Sequence, residues 1–387
     1  MIIDKISSRG KFIVLALMVL IVARLAIVIL TINNVPPTDQ MASGAWFFNG
    51  GDGDGYFASA KAFLNWEFIS GGQPIGLALF YAPLIFLTGA EALSEIIILM
   101  TIVYAVLFNI LATILCYILA KKFLASAAKA LAVAAVFQIY PYFFYGFFYF
   151  FGGSSETMAR FLYSRFLHLQ FLYIGSDALA MLLTLGSLLV LFKVAGQKSA
   201  GAKNPLILGI LTGWAVITRL QNIILLPVYA VILLWQKQYR ALIFYSIGAL
   251  PFGLLQAYAN WAANGSVFST AYGADTPVGQ VAPVFSFLHP LRLITYPLKY
   301  NPWLFLPLVI MIILLIIGTG QAIKQHGQSA IILSLYCYGM IGFLLLLWPS
   351  YMNPRYFLPV IPILFIYFFV SLAWIISFSI KYGRATN

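Results

Sequence analysis

Long apolar runs, broken by short charged or Pro/Gly-rich stretches, recur from Ile13 to Ile380. A helix needs roughly 20 apolar residues to cross the ~30 Å hydrocarbon core of a bilayer. The runs near 12–32, 96–120, 129–149, 173–192, 205–218, 220–235, 241–261, 303–319, 329–347 and 357–380 therefore read as about ten spans of an all-α, polytopic transmembrane helical bundle. A further run, Ile75 to Leu87, opens with Pro74-Ile75-Gly76 and is short for a span, so it reads as a juxtamembrane or re-entrant helix. The first run follows Lys5, Arg9 and Lys11 like a signal peptide, but it is too long for one and carries Arg24, and reads as an uncleaved first span. No stretch is left for a sizeable soluble domain, and residues 1–387 read as a single integral membrane domain. No internal repeat supports an inverted-repeat architecture.

The polar breaks set the orientation. If 75–87 does not cross, Lys5, Arg9, Lys11, Lys121, Lys122, Lys129, Lys193, Lys198, Lys203, Lys237, Arg240, Lys324, Lys381 and Arg384 all face the cytoplasm, as do both termini. Nine of the 10 acidic residues, all but Asp4, then lie at the outer face, and chemistry is expected there. Two long outer segments follow, Asn33–Gln73 and Ala262–Pro302. Within the first, Tyr56, Phe57, Ala60, Phe63 and Leu64 share one helical face opposite Lys61 and Asn65, the pattern of a helix lying in the interface.

Composition agrees: 63% of residues are hydrophobic and 8% charged, with a mean hydropathy of +0.96. The net charge of +12 does not imply nucleic acid, because the basic residues sit in short loops between apolar runs. Cys116 and Cys337 lie inside apolar runs and behave as small hydrophobes. His168, His289 and His326 are scattered and give no ligand spacing.

Gly50-Gly51-Asp52-Gly53-Asp54-Gly55-Tyr56 reads as a glycine-rich turn directly before that interfacial helix. It fits a solvated turn, a general base, or a carboxylate pair for Mg²⁺ or Mn²⁺; no other cofactor is implied. Asp177, at the entrance of the fourth span, fits either a first-turn carboxylate satisfying its own helix or a functional acid. Arg219 divides two short apolar stretches between Lys203 and Lys237, so the pair reads as a hairpin with Arg219 at its outer tip. There it either snorkels to headgroups or binds an anion such as phosphate. Arg355-Tyr356, leading into the last span, is an ordinary interfacial anchor or a second phosphate group. Arg24 calls for a structural partner inside the bundle. Segment 151–172 holds Glu156, Arg160, Arg165 and His168, and the spacing of its arginines does not make a clamp.

In order along the chain these pieces resemble the GT-C superfamily of polyprenyl-phosphate-sugar-dependent glycosyltransferases, which includes protein O-mannosyltransferases and aminoarabinose transferases. The matching residues are Asp52 before Tyr56 and Ala60, then Gln73-Pro74-Ile75-Gly76 through Gly89, Asp177, and Thr218-Arg219. Asn260 with Asn264-Gly265-Ser266 and Arg355-Tyr356-Phe357-Leu358-Pro359 complete the series. The chain departs in having Asp-Gly-Asp where several members have Asp-Glu, and in lacking a soluble domain. The resemblance implies inverting transfer of a sugar from a lipid-phosphate donor to a glycan, lipid or protein hydroxyl. Asp52 would be the base and Asp54 its alternate or metal partner. Asp177 would orient the acceptor or bind metal, Arg219, Arg355 and Tyr356 would hold the carrier phosphate, and Tyr56, Arg160 and Arg165 would lie along the acceptor or donor path. A flippase, a secondary transporter, and a glycan polymerase or ligase are the alternatives.

Overall fold

The computed structural model describes residues 8–34, 52–68, 74–151, 175–197, 201–267, 305–346 and 354–383. Regular structure among them is entirely helical: α1 (Ser8–Asn34), α2 (Asp52–Leu64), α3 (Ile75–Thr88), α4 (Leu93–Phe123), α5 (Ala127–Phe151), α6 (Ser176–Ala195), α7 (Lys203–Thr218), α8 (Leu225–Trp235), α9 (Tyr239–Asn264), α10 (Phe305–His326), α11 (Gln328–Leu346) and α12 (Ile361–Gly383). Single 3₁₀ turns, Leu220–Ile224 and Pro354–Phe357, precede α8 and α12. Six helices among the described residues, α4, α6, α9, α10, α11 and α12, are long and apolar enough to cross a membrane. The shorter apolar helices are Ile75–Thr88, Ala127–Pro141 and Leu220–Trp235. Where the sequence reads about ten spans, the chain is thus a membrane-type helical protein in which six helices among the described residues meet the length requirement on their own.

The bundle has two chemically distinct ends. At one, Phe123 of α4 packs edge-on against Phe192 of α6 and His326 of α10, with centroids 5.7 and 5.4 Å apart. There Gln238, at the start of α9, donates to the carbonyls of Val194 and Gln197. Lys121, Lys122, Lys193, Lys237 and Lys324 belong to these helix ends. At the other end lie the start of α6, the end of α7, the end of α9, and the paired helices α2 and α3. Asp52, Asp54, Glu67, Glu91, Glu95 and Asp177 are all there. These five lysines lie at the end opposite the carboxylates, whereas Lys61 of α2 lies among them.

Both ends of α3 stay at the carboxylate end. Its first amide, Ile75 N–H, donates to Gln256 Oε1 at 3.1 Å. Just past its last residue, Glu91 pairs with Lys61 of α2. Glycine is required at the second position, because a Cβ on Gly76 would fall 2.4 Å from the amide nitrogen of Thr218. The helix is closed by Gly89 in the left-handed conformation, φ 67°.

A polar network links α1, α4 and α5 in the middle of the bundle. Arg24 of α1 is buried and donates to the backbone carbonyl of Gln138 on α5. Pro141 has no N–H, so the neighbouring carbonyl of Phe137 lacks its helical partner. Gln138 Nε2 in turn donates to Asn109 Oδ1 (2.9 Å) and to Thr113 of α4. Arg24 has the structural partner that its position called for.

Candidate functional site

The site is built where two helices end and one begins. At the end of α7, Arg219 adopts extended backbone (φ −146°, ψ 110°) and so breaks the helix before the 3₁₀ turn Leu220–Ile224. The break is pinned locally: Asn222 N–H donates to the Arg219 carbonyl (2.9 Å) and Asn222 Nδ2 to the Ala215 carbonyl (3.0 Å). The expected hairpin is looser than its sequence suggests, since α7 packs chiefly on α6 and α9 while α8 turns toward α9 and α11.

Freed from the helix, the Arg219 guanidinium donates to Asp177 Oδ1 in the first turn of α6. The pair is buried, with side chains only 6% exposed each. Tyr356 completes the group from the turn before α12: the Arg219 guanidinium lies 4.7 Å from its ring centroid and that of Arg355 lies 5.0 Å away. Arg355 also donates to the Tyr356 hydroxyl at 3.1 Å. Two cations thus flank one electron-rich ring, with the Asp177 carboxylate beside them. Burial and the proximity of Arg219 work against the charge on Arg355, but the Asp177 carboxylate together with Tyr356 outweighs them, leaving the guanidinium above its ordinary value. Arg355 is therefore cationic throughout the physiological range.

Around this cluster runs a layer of hydroxyls. Tyr56 of α2 donates to Ser176 Oγ (2.8 Å), next to Asp177. Tyr104 of α4 donates to the Gly175 carbonyl (2.8 Å) and meets the Tyr81 hydroxyl of α3 (3.0 Å). Tyr104 reaches that position from a π-helical stretch, Ile102–Phe108. Trp214 donates to the Gly76 carbonyl (2.8 Å), tying α7 to α3. Ser176, Tyr81, Tyr104 and Trp214 escaped sequence reasoning. Ser176 had its adjacency to Asp177 as a signal, whereas the others stand in apolar runs where an aromatic residue is unexceptional.

The first-loop acids require correction. Asp52-Gly53-Asp54-Gly55 is not a turn preceding a helix but the first turn of α2 itself. Of its apolar face, Tyr56, Phe57 and Ala60 are buried against the protein, whereas Leu64 is 37% exposed. Asp52 and Asp54, two positions apart on this helix, lie about 200° apart around its axis. Among the described residues no three His, Cys, Asp or Glu side chains group closely enough to hold a metal ion. Asp52 lies one turn before Tyr56 on the same face, the face that meets Ser176, while Asp54 is exposed on the other side. The Asp52 side chain, and Arg160, Arg165 and His168 altogether, lie outside the described residues. Asp177 is not the N-cap, which is Gly175; it stands in the first turn of α6 and is engaged with Arg219.

No protein-family model, curated protein or solved structure matches this chain.

Proposed function

We propose that this chain is a membrane glycosyltransferase of GT-C type that takes sugar from a polyprenyl-phosphate donor at the non-cytoplasmic face. The observation carrying this reading is the cluster itself. Asp177, Arg219, Arg355 and Tyr356, drawn from three distant parts of the chain, meet at the carboxylate end of an apolar bundle, beside the helix face that bears Asp52. In the reaction, the acceptor hydroxyl oxygen forms a bond to the anomeric carbon as the bond from that carbon to the phosphate oxygen breaks, and configuration inverts. The hydroxyl proton passes to the Asp52 carboxylate. The electron pair leaves with the lipid phosphate, whose charge is met by Arg355 and Arg219. Asp177 then serves as a positioning residue that fixes the Arg219 guanidinium, not as the base. Asp54 faces away from the cluster and is dispensable on this reading.

The test is transfer from a labelled polyprenyl-phosphate sugar in liposomes by D52N and D54N. D52N is expected to lose ~100-fold or more in rate, the scale of a general base, and D54N to keep it. Equal rates for both variants and the unaltered chain would remove Asp52 from the mechanism. The Arg24–Gln138–Asn109 network, set within the bundle away from the cluster, is what favours a flippase or transporter instead. That activity would appear as transbilayer movement of the carrier, undiminished in D52N.

A further inference from the structure

On α9, Tyr239, Ile243, Ile247, Leu250, Leu254, Tyr258 and Trp261 recur at helical spacing, and each is at least 49% exposed. They make one uninterrupted outward stripe with aliphatic residues in the middle and aromatic residues at both ends. At 1.5 Å per residue, Tyr239 stands about 28 Å from Tyr258 and about 33 Å from Trp261. Those separations bracket the ~30 Å hydrocarbon thickness, and indole and phenol rings favour the two boundaries of that layer. At the lysine end the exposed Trp235 joins Tyr239.

At the carboxylate end the aromatic group continues onto a second element. Tyr258 packs on Trp261 (6.1 Å between centroids) and edge-on against Phe68 (5.4 Å). Phe68 and Trp66 both contact Phe63 of α2, at 6.2 and 5.6 Å. Trp66 closes α2 in a Schellman arrangement, its own amide donating to the Phe63 carbonyl (3.0 Å) and that of Glu67 to the Ala62 carbonyl (2.9 Å). It does so at φ 57°, where glycine is the usual residue. A bulky indole, 69% exposed, thus occupies a strained position with its ring turned outward.

We infer that Trp66, Tyr258 and Trp261 form an interfacial girdle whose partner is the lipid headgroup layer, and that this girdle fixes the depth of the charged cluster. Gln256, half a turn below Tyr258, holds Ile75; Gly76 abuts Thr218; Arg219 follows. The cluster therefore lies about one turn beneath the girdle, just inside the headgroup boundary. This inference rests on the membrane geometry and not on the proposed reaction.

The test uses the full chain in phosphatidylcholine vesicles, with W66F and W261F compared against the unaltered protein so that the fluorescence difference reports each removed indole. The expected result is that this component is lost when a headgroup-nitroxide lipid is present and is protected from aqueous iodide, with thermal unfolding unchanged. A component quenched by iodide but by no nitroxide lipid would overturn the girdle. So would a spectral shift on adding a soluble saccharide, which would make the surface a sugar subsite instead. Loss of glycosyl transfer in D52N, or its persistence, leaves either outcome unaffected.

Discussion

Arg219 and Asp177 meet where each side chain is almost sealed from water, and that decides what their replacement does. A buried pair contributes little over an apolar substitute, but breaking one by removing a partner typically costs ~3–5 kcal/mol. R219A and D177A are each expected to lower stability by about that amount in detergent-solubilised protein, and D177A/R219A by clearly less than their sum. Additive losses in thermal unfolding would mean that the two groups do not depend on each other. Tyr56→Phe removes a single hydroxyl bonded to Ser176 and is expected to cost about 1 kcal/mol, a loss that S176A should largely reproduce and not add to. Which residues could be found at this scale follows from chemistry. Asp177, Arg219 and Arg355 stood out because charge inside an apolar run is costly and needs a reason. Tyr104 and Tyr81 gave no such signal, since a tyrosine is nearly as welcome as a phenylalanine until a hydroxyl partner appears from another helix.

Elements are joined here by contacts that only small residues allow. α7 and α9 run parallel and approach so closely that a Cβ on Gly209 would lie 2.1 Å from the Tyr245 carbonyl oxygen, and one on Gly248 2.4 Å from that of Leu206. Neither obstacle is a flexible side chain, so the helices themselves would have to separate. G209A is expected to destabilise by ~1–3 kcal/mol, the usual cost of overpacking. G253A, with nothing within 4 Å of its Cβ on the same helix, should be neutral or stabilising by up to ~1 kcal/mol from helix propensity. Similar unfolding temperatures for the two would show that the α7–α9 contact is not close in solution. The sequence revealed the apolar face of α2 but not its partner. Periodicity states which side of a helix shuns water and cannot distinguish lipid from protein. The same limit explains why Asp52-Gly53-Asp54-Gly55 read as a turn: two glycines in four residues argue against a helix until packing of Tyr56, Phe57 and Ala60 holds its first turn in place.

At the scale of the molecule, the legible feature was the one governed by transfer free energy, the helical class; the charge pattern assigns an orientation in which Lys121, Lys122, Lys193, Lys237 and Lys324 face away from Asp54 and Asp177, a separation of the two ends. That separation makes D54C and K122C, both at exposed positions, label from opposite sides of sealed vesicles with a membrane-impermeant maleimide. The native Cys116 and Cys337 are fully buried and contribute little background. Labelling of both from one side would cancel the assigned orientation. The capped carbonyl beneath Pro141 carries one more consequence, in time instead of space. On the ten-span reading α1 enters the bilayer with a guanidinium near its midpoint, and its acceptor on Gln138 lies 114 residues further along. At ~5–20 residues per second that stretch takes the ribosome roughly 6–23 s to deliver. Until then α1 carries a penalty of ~2.5–3.5 kcal/mol. Arrested nascent chains ending before Ala127 should accordingly release α1 from the translocon poorly or leave it extractable by alkali, and chains extending past Phe151 should retain it.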